Sequence, residues 1–234
     1  MTDMVLSGDF SVVSQGIVPP IADATYFLRL GDTKAKSLKN LMGGPSFAEA
    51  LGVIVPQPTY ATLDGATGTI NTGILETSPN GTIFCIARAP GATGTVYLHS
   101  AQGGATSAGL SLEMTTTAIE TRSTFSNNAT VRQPASLTVP DRTAWRLYVG
   151  EAEQGVGLRV ADETRGLSAA YANTNTRNLN AATTMRIGGR SNTTSGGPVD
   201  IHQIIYVPRI LTGTERARVL AFMRAYAAAR GITV

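Results

Sequence analysis

The chain has 234 residues, enough for a single large β domain with a buried core that needs no disulfide or metal for stability. Charged residues make up 15% of it, against roughly 25% in typical soluble domains. The net charge of +3 is spread along the sequence, and the few aromatic residues (6%) are not interleaved with Lys or Arg, so we predict no nucleic-acid surface.

The chain begins with a segment that ends in Gly16-Ile-Val-Pro-Pro20. Two consecutive prolines exclude a helix there and favour an extended, exposed segment. We therefore predict an arm or linker over residues 1–20 and one domain over residues 21–234. The first residues lack a basic start followed by an apolar core, and no run of about eighteen apolar residues occurs, so we expect no signal peptide and no membrane insertion.

The next segments alternate between strand and loop patterns. Residues 26–30 predict a strand, and the Lys-containing residues 32–40 predict a solvated loop. Residues 46–49 have the spacing of a capping box, which predicts one helical turn. Short strands separated by Asp-Gly and Asn-Gly turns are predicted over residues 60–63 and 68–75.

A near-continuous apolar run over residues 82–88 predicts a central strand of a sandwich. The only cysteine, Cys85, lies in this run, so we predict a buried free thiol. Residues 94–100 alternate in the manner of a partly exposed strand, and we predict that the two strands form a hairpin.

Alternating strands are then predicted over residues 109–114 and 118–125. A three-stranded meander with tight turns is predicted over residues 143–171. A helix is predicted over residues 213–230, because Thr212 and Glu215 form a second capping box and Gly231 can end the helix. Its apolar face would consist of Val219, Phe222, Met223 and Tyr226.

The last fifty residues run from Met185-Arg-Ile-Gly-Gly189 through a polar loop to the strand 200–206 and the helix start Leu211-Thr-Gly-Thr-Glu215. This order resembles the closing segment of laminin-G-like, concanavalin A-like jelly rolls. The resemblance extends over about residues 60–230, and it implies an all-β antiparallel sandwich with one C-terminal helix. It favours a binding or assembly module over an enzyme.

Concanavalin A-like folds include glycoside hydrolases, which need two carboxylates at a fixed separation. The expected Glu-x-Asp-x-x-Glu strand is missing, and its nearest counterpart, Glu151-Ala-Glu153, lies in a predicted turn. A hydrolase would need an unfamiliar pair such as Glu113 with Glu120 or Glu151. We therefore predict no catalytic residues.

Metal and cofactor motifs are also missing from the sequence. His99 and His202 are the only histidines, neither has metal-ligand spacing, and we predict that both lie on strand surfaces. Laminin-G-like domains often hold calcium by loop carboxylates and carbonyls, so the resemblance is compatible with a calcium site. Asp162, Asp200 and Asn192 are candidate ligands only because they fall near predicted loops. The sequence itself predicts no cofactor.

Sugar recognition combines aromatic rings with planar polar side chains, and loops on a rigid sandwich commonly carry it. The loop Arg190–Gly197 is the best candidate, with Arg190 and Asn192 in it and Tyr97 and Tyr171 nearby on strands. Trp145 could join them, but together with Tyr148 it is better explained as part of the sandwich core.

We predict a non-enzymatic virion protein of a tailed bacteriophage, either a tail-fibre or receptor-binding subunit or a head-decoration subunit. Its arm would attach to other virion proteins, and its loops would face outward, towards host surface polysaccharide in the receptor-binding case. Self-assembly is expected, as a trimer if the protein sits on a fibre. The alternatives are a free carbohydrate-binding lectin and a glycoside hydrolase.

Overall fold

The computed structural model describes residues 21–103, 108–190 and 196–234, and in it two antiparallel sheets pack face to face. With strands numbered in chain order, sheet A consists of β1 (Tyr26–Arg29), β3 (Val55–Pro56), β4 (Ala61–Asp64), β6 (Gly81–Arg88), β11 (Arg146–Glu153), β12 (Gly157–Asp162), β13 (Leu167–Ala172) and β15 (Pro198–Val207). Its order is β13-β12-β11-β6-β15-β4-β3, and β1 also pairs with β15.

Sheet B is the second layer of the sandwich. It consists of β2 (Ala48–Ala50), β5 (Thr69–Asn71), β7 (Val96–Ser100), β8 (Ser111–Met114), β9 (Ala118–Phe125), β10 (Asn128–Thr138) and β14 (Arg186–Ile187). Its order is β10-β9-β8-β7-β14-β5-β2. The described residues also contain a four-residue turn of helix, α1 (Lys34–Ser37), and the helix α2 (Gly213–Ala228).

The two sides of the central strand β6 face two different apolar clusters. Ile83, Cys85 and Ala87 point into the core between the sheets. Phe84 and Ile86 point the other way, into a second cluster that α2 covers with Val219, Leu220, Met223 and Ala227. The strand is therefore apolar at nearly every position because both of its faces are buried.

The C-terminal helix begins where the sequence predicts. The hydroxyl of Thr212 accepts a hydrogen bond from the backbone N–H of Glu215, and the Glu215 carboxylate accepts one from the N–H of Thr212. This capping box satisfies two N–H groups at the start of the helix that have no partner within it. The all-β sandwich with a C-terminal helix is thus confirmed, with the short turn α1 as an addition.

The predicted meander is confirmed, because β11 pairs with β12 and β12 with β13, both antiparallel. The predicted hairpin of residues 82–88 with 94–100 is wrong: β6 lies in sheet A and β7 in sheet B. Arg142 holds the crossover between them by donating hydrogen bonds to the carbonyls of Gly94 (2.8 Å) and Ala92. The residues of β7 are also buried rather than partly exposed, with 7% exposure left at Tyr97 and none at the other four.

Two local predictions near the N-terminus are also wrong. Residues 46–49 do not form a helical turn. Strand β2 begins at Ala48, and Glu49 uses its carboxylate to accept the N–H of Ile54 (3.0 Å) and to pair with Lys34. Residues 32–40 contain the turn α1 and the buried side chains of Ser37 and Asn40 rather than a solvated loop. Asn40 accepts a hydrogen bond from the N–H of Phe27 (3.2 Å), which fixes the segment against β1.

The predicted arm, residues 1–20, lies outside the described residues and stays a prediction. Over the ranges that the structure describes, neither helix has the length and apolarity needed to cross a bilayer.

Candidate functional site

Two of the predicted ligand-binding residues, Tyr97 and Arg190, line the same cleft on the outer face of sheet B. This cleft has a volume of about 390 Å³. Its walls are formed by Thr95, Tyr97, Gln102, Glu113, Thr115, Arg122, Thr130, Val131, Arg132 and Arg190. The structure therefore brings together side chains from β7, β8, β9 and β10 and the first residue of the predicted loop.

A second cleft of about 420 Å³ adjoins the first and shares Thr95 and Tyr97 with it. It is completed by Thr93, Gly94, Gly196 and Gly197. We call the two clefts together the sheet B groove. The loop that begins at Arg190 and ends at Gly197 thus starts and finishes at this groove, whereas Asn192 lies outside the described residues.

The groove is polar because β8 and β9 alternate. Leu112 and Met114 point into the core, while Ser111 and Glu113 point outward. Directly opposite Glu113 in the antiparallel register is Glu120, and opposite Ser111 is Arg122. This alternation is visible in the sequence, and it could have identified Glu113 and Arg122 as surface-facing neighbours.

Three arginines and one carboxylate line the groove. The guanidinium of Arg122 lies 2.8 Å from Glu113 and 2.6 Å from Glu120. Arg132 lies 3.1 Å from Glu113 and also donates a hydrogen bond to the Ser111 hydroxyl. The three arginines and the two carboxylates, Glu113 and Glu120, leave a net local charge of +1.

Arg190 carries that excess charge. Among the described residues, no carboxylate lies within 4 Å of its guanidinium, and its buried Nε has no hydrogen-bond partner. A positively charged side chain without a counter-ion at the edge of a polar groove favours an acidic ligand.

The carboxylates are not arranged for hydrolysis. Glu113 and Glu120 are both ion-paired with Arg122, and Glu120 also accepts a hydrogen bond from the Ser136 hydroxyl (3.0 Å). Glu151 lies in sheet A and pairs with Arg216 of α2, so it is not near Glu113. A glycosidase needs two carboxyl groups that face a sugar across a cleft, whereas each of these carboxylates is engaged by an arginine.

The structure does not bring Tyr171 to the sheet B groove. Its ring, on β13 of sheet A, lies 6.2 Å from that of Phe125 and lines a separate cleft of about 300 Å³. Trp145 is half-buried rather than a full member of the core, with its ring 5.3 Å from that of Tyr60 and 4.7 Å from the guanidinium of Arg88. Tyr148 is fully buried, as predicted.

Both histidines are buried, so the prediction of strand-surface positions is wrong. His99 stacks on Tyr206 with 5.4 Å between ring centroids, and its desolvation lowers its pKa to about 3. His202 lies beneath α2 and stacks on Tyr226 (5.4 Å), and burial lowers its pKa to about 4. Both rings are therefore neutral at physiological pH.

The two candidate calcium ligands that the structure describes, Asp162 and Asp200, are each held by an arginine. Asp162 is buried and lies 2.7 Å from Arg165, while Asp200 lies 2.9 Å from Arg88 and accepts a hydrogen bond from Thr62 (2.7 Å). Each carboxylate is thus neutralised by an arginine. No cluster of three or more His, Cys, Asp or Glu side chains suited to a metal occurs within residues 21–103, 108–190 and 196–234.

No family model and no curated protein matches the sequence. The fold is similar to receptor-binding domains of botulinum neurotoxins. The serotype G binding domain aligns with a TM-score of 0.62 and 11% identity over 86% of this chain and 50% of that chain. The type DC binding domain in complex with SialylT aligns with a TM-score of 0.61 and 10% identity over 87% of this chain and 51% of that chain. The serotype D domain in complex with N-acetylneuraminic acid aligns with a TM-score of 0.60 and 10% identity over 86% of this chain and 51% of that chain.

The chain spans about half the length of these neurotoxin domains. At such low identity the likeness concerns the fold alone. The β-sandwich predicted from the closing segment is therefore supported by solved structures, and these structures are receptor-binding domains.

Proposed function

We propose that this chain is a non-enzymatic glycan-binding module and that the sheet B groove is its binding surface. The main support for this proposal is that Tyr97 and Arg190 line one groove together with the ion-paired side chains of Glu113, Arg122 and Arg132. An aromatic ring can pack against the apolar face of a sugar, while guanidinium and hydroxyl groups bind its oxygens. The excess positive charge favours a glycan that carries carboxylate or phosphate groups.

The groove is pre-organised for binding. Arg122 and Arg132 are held by Glu113 on one strand, so their guanidinium groups need little ordering when a ligand arrives. Solved structures of similar fold support a binding role. They include receptor-binding domains of botulinum neurotoxins and a ligand-binding domain in complex with N-acetylneuraminic acid.

Binding of the purified chain to an array of charged and neutral bacterial polysaccharides tests this function. The Arg190→Met variant should bind at least about tenfold more weakly, because a hydrogen bond to a charged group contributes roughly 1.5–3 kcal/mol. Arg218→Met is the matched control, since it removes the same charge from an exposed position on α2. Equal loss in both variants, or no binding to any polysaccharide, would contradict the proposal.

We further propose that the module belongs to a tailed-bacteriophage virion, attached by residues 1–20 and self-assembled as a trimer. This is supported by the low charge content (15%), the Thr- and Gly-rich composition and the proline-containing segment before residue 21. A gold-conjugated antibody to the chain should label phage particles, at the tail tip for a receptor-binding subunit or over the head for a decoration subunit. Light scattering that gave a monomer at micromolar concentration would count against the trimer.

The alternative is a free lectin. A free lectin would bind its glycan in the same groove. It predicts that the isolated chain binds a glycan and that the gold-conjugated antibody labels no phage particles. That combination of results would replace the virion proposal and leave the glycan-binding proposal intact.

A further inference from the structure

A separate pocket of about 240 Å³ lies on the opposite side of the sandwich, between the segment after β1, strand β15 and helix α2. It is outside the sheet B groove and contains none of the predicted site residues. Its lining residues are Arg29, Leu30, Gly31, Asp32, Lys36, Lys39, Leu41, Thr59, His202, Tyr226 and Arg230.

The charges in this pocket are strongly unbalanced. Four basic side chains line it, but only one carboxylate, that of Asp32. Asp32 lies 3.4 Å from Lys36 and 3.5 Å from Arg230. Among the described residues, no carboxylate lies within 4 Å of Arg29 or Lys39.

Arg29 is held over the pocket in a partly desolvated position. Its guanidinium lies 4.4 Å from the ring centroid of Tyr226, and its buried Nη1 has no hydrogen-bond partner in the part of the chain that the structure describes. Burial lowers the pKa of this guanidinium. A buried cation without a partner costs free energy, which an anionic ligand would recover.

His202 adds a hydrogen-bond acceptor to the same pocket. Its Nδ1 donates to the carbonyl of Thr59, because that oxygen can only accept, so the proton is on Nδ1 and the neutral ring presents Nε2 as an acceptor. Nε2 is buried and has no partner among the described residues. The stacked ring of Tyr226 holds the imidazole in place.

We propose that this pocket binds a small hydroxylated carboxylic acid of the size of an acidic monosaccharide. The carboxylate would accept hydrogen bonds from Arg29 and Lys39, and a hydroxyl group of the ligand would donate to Nε2 of His202. Inorganic phosphate fits less well because its hydroxyl protons lie on the same small group that would bind Arg29 and Lys39, whereas the hydroxyl groups of a sugar acid lie away from its carboxylate. The volume is below the roughly 300–1,000 Å³ of drug-sized ligand sites, which suits a single sugar ring.

Isothermal titration of the full chain with D-glucuronate, D-glucose and inorganic phosphate at pH 7.5 tests the proposal. Glucuronate should bind at least about tenfold more tightly than either of the other probes, because only glucuronate has both a carboxylate and hydroxyl donors. No binding of glucuronate, or equal binding of glucose or phosphate, would overturn the proposal.

Variants locate the site. Arg29→Met and Lys39→Met should each weaken glucuronate binding by about tenfold or more, whereas Arg218→Met should leave it unchanged. Lys39 is exposed, so its variant decides the question even if Arg29→Met fails to fold. Unchanged affinity in Lys39→Met would overturn the proposal.

Arg190→Met separates this pocket from the sheet B groove. It should leave glucuronate binding unchanged while it weakens polysaccharide binding, and Lys39→Met should do the reverse. Loss of glucuronate binding in Arg190→Met would place the acid in the groove and overturn the assignment to this pocket.

Discussion

On the outer face of sheet A, Phe84 and Ile86 are buried beneath α2, whereas on the outer face of sheet B, Glu113 and Arg122 form an ion pair in an open groove. The inward faces of the two sheets are alike, since both contribute aliphatic side chains to one core. The outer faces therefore differ: one is covered by the helix, and the other carries charged side chains in an open groove. Three predictions test this difference.

The largest effect is expected from Phe84→Ala, which removes a buried ring between β6 and α2. Truncation of a buried Phe costs about 3–5 kcal/mol through lost burial and the cavity that remains. Urea unfolding should show this decrease in the free energy of unfolding. Val156→Ala, at an exposed apolar position of the turn before β12, is the control and should change it by less than about 0.5 kcal/mol.

The second effect is a loss of stability in mild acid. His99 and His202 have an ordinary pKa of 6.5, and burial lowers it to about 3 and about 4 in the folded chain. The two neutral rings therefore contribute fully to the free energy of unfolding above pH 6.5. This contribution decreases as the pH falls from 6.5 towards 4 and 3, because in that range only the unfolded chain takes up the protons. From pH 7.5 to 5.5 the free energy of unfolding should fall by about 2.7 kcal/mol for the two residues together, because the protonated fraction of each unfolded histidine rises from about a tenth to about nine tenths.

His99→Phe separates the two contributions. It keeps an aromatic ring stacked on Tyr206, so about half of the pH dependence should remain, from His202 beneath α2. The same urea titrations at both pH values measure it. An unchanged pH dependence in the variant would mean that His99 is not held neutral by its burial.

The smallest effect is expected on sheet B. Arg122→Ala should lower the free energy of unfolding by only about 1 kcal/mol, because Arg122 is partly exposed and both of its partners keep another contact, Glu113 with Arg132 and Glu120 with the Ser136 hydroxyl. Arg159→Ala, an exposed arginine on sheet A, is the matched control. A loss as large as that of Phe84→Ala would show that the charged groove is part of the structural framework, and the comparison of the two faces would fail.

Much of the secondary structure can be predicted from local patterns. The apolar run of β6, the alternation in β9 and the capping box at Thr212 each depend on residues close together in sequence, and each appears in the structure. Strand β10 has no such signal, since most of its side chains are half-exposed or exposed and it contains Pro134. No segment was predicted there.

The features that local sequence patterns do not predict depend on contacts between residues far apart in the chain. The crossover from β6 to β7 depends on Arg142, about fifty residues further along the chain. Similarly, the buried pair of Glu76 and Arg177 (2.8 Å) joins residues about a hundred positions apart. In the groove, Tyr97 and Arg190 were predicted. Alternation in β9 can place Arg122 on the outer face, but its position with Arg132 beside Tyr97 and Arg190 depends on the order of strands in sheet B.

Cys85 is the only cysteine, and it lies fully buried in the strand at the centre of sheet A, between β11 and β15. Burial also raises the pKa of its thiol, so in the folded chain the sulfur is both shielded and unreactive. Because its side chain points into the core between the two sheets, a thiol reagent can reach it only after the sandwich opens. The rate at which Cys85 is alkylated therefore reports how often the sandwich opens, and mass spectrometry can measure it without any engineered label.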